Sequence, residues 1–216
     1  MQQPKRWEVD LELRNNPADR TRWSTHISYG RNEDGGLELS LDASVAVRPQ
    51  PRWELSISPE FTRELSTQQY VTNLERTGIS TFGRRLIFSH VDRSEIVMQT
   101  RLNYTFKPDL TVEIYAEPFA SSGRFFNFGE LKTPRTRTIR NYGSDNTSVE
   151  TLDNGTLRIR DKSELFELTN KNFNVLSFRS NIVLRWEWKP GSTLFVVWQQ
   201  DRSKNIPIGN RVDAGD

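Results

Sequence analysis

The chain has 216 residues, with 30 Lys and Arg against 28 Asp and Glu, and no cysteine. A formal net charge of +2 with the signs interleaved is not the clustered basic stripe that nucleic-acid binding requires. Disulfides, thiolate metal sites and cysteine nucleophiles are excluded outright.

No run of about 18 apolar residues occurs, so no transmembrane helix is encoded. That criterion is blind to strands, which turn only alternate residues to lipid. Residues Met1 to Trp7 lack the apolar core of a secretory leader. The chain is therefore a fragment, has had its leader removed, or is not exported.

Alternation of apolar and polar residues defines the elements, because a period of two puts one set of side chains on each face of a strand. The first run is Trp7, Val9, Leu11 and Leu13 against Glu8, Asp10, Glu12 and Arg14. Turn residues Asn15 to Asp19 follow. The second is Trp23, Thr25, Ile27 and Tyr29 against Arg22, Ser24, His26 and Ser28. The third, after Gly35 and Gly36, is Leu37, Leu39, Leu41, Ala43, Val45 and Val47. Pro49 and Pro51 mark a tight link.

The fourth run is Trp53, Leu55, Ile57, Pro59 and Phe61, where Pro59 predicts a bulge or local break. A longer link spans about 65–93 and holds one short apolar piece, Leu86 to Phe88. The fifth run is Ile96, Met98, Thr100, Leu102, Tyr104 and Phe106, ended by Pro108 and Asp109. The sixth is Leu110, Val112, Ile114, Ala116 and Pro118. The longest excursion then runs over about 121–172. Within it, Asp153-Asn154-Gly155 between Val149–Leu152 and Thr156–Arg160 predicts a hairpin. The seventh run is Leu176, Phe178, Ser180, Ile182, Leu184, Trp186 and Trp188. Pro190 and Gly191 turn the chain into the eighth, Leu194, Val196, Trp198 and Gln200. Residues 201–216 read as a polar tail.

These eight runs predict an all-β, antiparallel up-and-down meander occupying residues 1–200 as one domain. Each run is about as long as the tilted strand of 9–11 residues that crosses a bilayer. Short links alternate with longer ones, as in bacterial barrels with short periplasmic turns and long external loops. Aromatic residues such as Trp7, Tyr29, Trp53, Phe61, Tyr104, Phe106, Trp186 and Trp188 sit near the run ends, where barrels wear girdles. The expectation is an outer-membrane-type β-barrel or a portion of one. The alternative is a soluble or surface β-sandwich that binds carbohydrate, since sandwich strands also alternate.

On the barrel reading the polar face lines the lumen, with Glu113, Glu117, Arg179 and Arg185 among its residues. Both signs are present, so no single-sign ring selects an ion. Catalytic chemistry is not encoded in any recognised form. His26 and His90 lack ligand-spaced partners, which argues against zinc. Glu113 and Glu117 lie about 13 Å apart at strand rise, wider than paired glycosidase carboxylates. Nucleophile-elbow, P-loop and Rossmann patterns are missing, and no cofactor is expected. Arg124, Phe125 and Phe126 fall where an external loop would begin. An arginine among aromatics binds a sugar or an anionic headgroup by stacking and hydrogen bonds, or anchors the loop across the barrel mouth.

The segment Arg101 to Leu110, then Tyr115 to Phe125, and later Ser180 to Gln200, resembles the C-terminal region of an uncharacterised bacterial envelope family. In that family a carbohydrate-binding-type sandwich precedes an outer-membrane-type barrel. The resemblance covers about residues 95–200 and implies a barrel in the bacterial outer membrane. It also implies that an N-terminal domain and a closing aromatic strand lie outside this sequence, so that a further barrel segment would be a partner alongside membrane lipid. The expected role is a non-catalytic anchor, or a passive or ligand-gated conduit, with its ligand unidentified and no nucleic-acid partner.

Overall fold

The computed structural model describes residues 4–75, 81 and 83–206. Twelve strands occur among them: β1 (Arg6–Arg14), β2 (Thr21–Asn32), β3 (Leu37–Gln50), β4 (Trp53–Glu75), β5 (Arg84–Lys107), β6 (Leu110–Leu131), β7 (Ile139–Asn141), β8 (Thr147–Thr151), β9 (Leu157–Asp161), β10 (Glu164–Leu168), β11 (Phe173–Lys189) and β12 (Ser192–Asn205). The main sheet runs β1-β2-β3-β4-β5-β6-β11-β12, antiparallel throughout, with β7 added beside the end of β6. The eight-stranded meander read from alternation is thus present, but the sheet is open, with β1 and β12 as its edges.

One end of this sheet is made of tight turns. Residues 51–52, 108–109 and 190–191 suffice to join β3 to β4, β5 to β6 and β11 to β12. Gly191 adopts φ 78°, a conformation that a residue with a Cβ resists, and its N–H donates to Glu187 at 3.0 Å. In the wider β1–β2 turn, Asn15 accepts from the Trp23 N–H and donates to the Thr21 carbonyl, both at 2.7 Å. Pro59 does not shift the register. The ladder to β3 skips the two positions facing Ala43 and Ser44, then resumes unchanged. The break is local because only a donor is missing, not a residue added.

At the other end β4, β5 and β6 project far beyond their neighbours, at 23, 24 and 22 residues. The link anticipated over 65–93 is therefore mostly hairpin, and the start of the excursion at 121 is still strand. The polar tail is corrected too: residues 201–205 belong to β12, and 207–216 lie outside the described residues. The Asp153–Gly155 hairpin forms as β8 and β9, and β10 completes a separate three-stranded sheet, β10-β9-β8. Gly155 takes φ 78° at its tip.

The register assigns the faces. Trp53 opposes Tyr104, Ile57 opposes Thr100, and Ile182 opposes both Ile114 and Trp198, so the apolar alternate residues share one side, here called outward. Glu54 opposes Asn103, Arg101 opposes Tyr115 and Arg179 opposes Glu117 on the inward side. Towards the projecting end the polarity reverses. On β5 the inward residues Arg85, Ile87, Ser89 and Val91 are buried, whereas the outward Ile96, Met98 and Phe106 lower down are exposed. The buried core gathers Ile87, Phe128, Tyr142, Ile159 and Leu168, where β8–β10 packs on the inward side of β5 and β6. We call β7–β10 and their connections the cap. Among the described residues no second sheet covers the outward face, which a β-sandwich would require.

Candidate functional site

The outward face begins at the tight-turn end with aromatic residues: Trp23, Trp53, Tyr104, Phe106, Trp186 and Trp188. Tyr104 and Phe106 meet edge to face at 4.6 Å between ring centroids, and Trp186 and Trp188 at 6.4 Å. Five to seven outward positions per strand remain uncharged. On β4 they run from Trp53 to Phe61, on β5 from Phe106 to Ile96, and on β11 from Trp188 to Leu176. Trp7 and Tyr29 pack at 5.5 Å near the far rim. All six tryptophans of the chain are on this face.

The inward face is a ladder of ion pairs. Arg6 bridges Glu8 and Glu38 at 2.9 Å each, Arg22 reaches Glu54 at 2.6 Å and Arg93 reaches Glu64 at 3.0 Å. Glu113, Glu117, Arg179 and Arg185 share this face, as their alternation requires. Arg179 sits between Glu117 at 4.0 Å and Asp201 at 3.6 Å, while Arg185 leans to Glu187 at 3.5 Å. Tyr115 donates to Glu117 and carries the Arg101 guanidinium over its ring at 5.2 Å. His26 lies 3.6 Å from Asp10 across β1 and β2. Such exposed pairs contribute little stability individually, about 0–1 kcal/mol each. Their effect is to keep one face wetted.

Arg124, Phe125 and Phe126 are not in a loop. They lie within β6, and the strand's alternation separates them. Arg124 and Phe126 point outward, the guanidinium 5.6 Å from the ring centroid. Phe125 opposes Val91 on the inward side and packs against the cap core. All three nevertheless border one cavity, shared with Asn127, Tyr142 and Asn172.

The residues that sequence reasoning missed are in the cap. Arg85, 2% exposed, meets Glu130 at 3.2 Å, Asp161 at 3.1 Å and Glu164 at 2.8 Å, and donates to the Tyr142 hydroxyl at 3.2 Å. Its guanidinium also lies 4.2 Å from the centroid of the Phe166 ring. Arg140 reaches Glu130 and Asp161 at 2.9 Å and Asp145 at 2.8 Å. Burial opposes the Arg85 charge, but Tyr142, Glu130 and Asp161 outweigh it and its pKa is raised. Burial, then Glu130, pushes the Tyr142 hydroxyl well above its usual range. Hydrogen bonds that Arg140 donates to Asp161 and Asp145 likewise hold it in its charged form. The cluster ties β5, β6, β7, β9 and β10 together; its members are scattered from 85 to 164, with no local spacing to betray them. Arg137, beyond β6, adds a second tie to Glu33 at 2.7 Å and to Asp34 in the β2–β3 turn.

Among the described residues no group of three or more His, Asp and Glu side chains is arranged to hold a metal ion. Among the described residues no helix is long and apolar enough to cross a membrane. A family model described as a domain of unknown function, DUF5916, matches residues 1–210. No curated protein and no solved structure matches the chain.

Proposed function

We propose that this chain, which belongs to the DUF5916 family, forms the wall of an outer-membrane β-barrel, or a portion of one, and has no catalytic role. It anchors the cap at the membrane surface, and the ion-paired inward face lines a plugged or water-filled lumen.

The observation that carries this reading is the bare outward face. Five of its six tryptophans are 43% to 53% exposed. A half-exposed indole leaves on the order of 100 Å² of surface in water. At about 25 cal/mol per Å² the five together forgo on the order of 10 kcal/mol, comparable with the whole stability of an ordinary domain. A face this apolar is stable only against an apolar solvent or partner. Lipid fits its dimensions. The uncharged stretch of β4 from Trp53 to Phe61 spans about 26 Å at strand rise, close to the apolar band of bacterial barrels. Aromatic girdles and tight turns at one end add support.

The test is tryptophan quenching by brominated phosphatidylcholine after refolding into vesicles. All six indoles face outward, so strong quenching with a blue-shifted emission is expected. A protein that stays folded and monodisperse without detergent, and whose fluorescence bromolipid leaves unchanged, would overturn the reading.

A further inference from the structure

Above the apolar band the outward face changes sign instead of simply becoming polar. The first charged outward positions towards the projecting end are Arg31 on β2, Arg63 on β4, Asp92 on β5, Arg124 on β6, and Arg202 and Lys204 on β12. Five are basic and one is acidic, in a chain whose total charge is only +2. All five cations are exposed. Arg63 grips Asp92 through two hydrogen bonds of 3.0 and 2.8 Å, and Arg124, opposite Asp92 in the ladder, shares the same carboxylate's field without a hydrogen bond among those described. The opposite rim of the same face carries the aromatic rings.

The centre of this belt is shaped. A cleft bounded by Arg63, Asp92, Ser94, Ser122, Arg124 and Asn174 opens on the outward surface. It continues without a step into an apolar groove, because Phe61, Ser94, Ser122 and Asn174 line both. The groove's floor is Ala120, a small side chain between Phe61, Ile96 and Leu176. A basic cleft with hydroxyl and amide groups, set directly above an apolar furrow on the cross-strand row Phe61, Ile96, Ala120 and Leu176, has the polarity of an amphipathic molecule. Arg124 presents donors that no carboxylate on this face engages by hydrogen bond. Cations beside a bilayer attract anionic headgroups with about 1 kcal/mol each, roughly fivefold in local concentration.

We propose that this site binds one anionic phospholipid of the leaflet at the projecting end, its phosphate on Arg124 with Arg63 alongside, its acyl chain in the furrow over Ala120. The proposal rests on the membrane reading above and specifies which lipid chemistry the wall selects.

The test uses the full chain in phosphatidylcholine vesicles containing a minor fraction of brominated phosphatidylglycerol. Preferential quenching is expected, with the anionic lipid enriched about fivefold over a random mixture. Arg124→Gln is expected to remove most of that enrichment, and Arg124→Lys to restore much of it. Arg185→Gln, on the inward face, should leave it unchanged. Millimolar inorganic phosphate should not compete, because the acyl chain supplies part of the binding; competition would show a free-anion site and overturn the proposal. Quenching equal to that by brominated phosphatidylcholine, in protein that still inserts, overturns it while the membrane reading stands. Failure to insert into phosphatidylcholine alone overturns both.

Discussion

Arg85 is a cation with almost no contact with water, held by three carboxylates and a phenol. Removing one partner of a buried ion pair costs about 3–5 kcal/mol, because the remaining charges lose their compensation. Arg85→Met should therefore release the cap from the sheet while the lower strands keep their pairing. Hydrogen exchange checks this: amides of 157–168 lose protection, and those of 96–106 do not. Tyr142 supplies a pH dependence of definite sign. Its pKa is raised on folding, so its contribution is complete below the usual value of 10.0 and disappears as pH rises through the folded value. Cap protection should fall in alkali above about pH 10, and Tyr142→Phe should abolish that step. Equal alkaline loss in the Phe variant would refute the assignment.

The strand that holds both faces together is β6, and it does so through one extra residue. Phe125 opposes Val91 and Glu130 opposes Ile87, an odd number of positions on one strand against an even number on the other. The surplus lies between Phe126 and Gly129, where Asn127 takes φ 50°. Without it, Phe128 and Glu130 would face outward. Deleting Asn127 should thus invert the upper end of β6 and dissolve the cap core, with the inward face below Phe125 unaffected. Loss of Tyr142 burial, read by iodide quenching of a tryptophan placed there, would show it. Two comparable shifts occur on β4, between Ser66 and Gln69 and between Tyr70 and Thr72. These interruptions explain what the sequence concealed. From Trp53 to Phe61 and from Ile96 to Phe106 alternation is regular and both strands are legible. Beyond them the apolar parity moves to the other face and the bulges scramble its phase, so strand reads as loop.

At the scale of the molecule two environments are stacked along one sheet. Over the band the apolar residues face out; at the cap they face in, as in any water-soluble core. The fold class and the tight-turn end were legible because they depend on local alternation and on Pro108, Pro190 and Gly191. The cap clamp was not, because Arg85, Glu130, Arg140 and Asp161 are joined only by the tertiary structure. The outward basic belt stayed hidden for a related reason: Arg31, Arg63 and Arg124 become one feature only once the register aligns their strands.

The cap also interrupts the meander. Every neighbouring pair in the main sheet is joined by a hairpin except β6 and β11, between which the chain spends residues 132–172. A free loop of that length would slow the pairing, because its ends must find each other by diffusion, at an entropic cost that grows with the logarithm of length. The folded cap removes much of that search. Its strands pair locally, and Asn172 at its exit already accepts the Phe125 N–H at 2.6 Å, one step from where β11 begins. A cap that closes before β11 pairs thus hands the last hairpin to the sheet already in register.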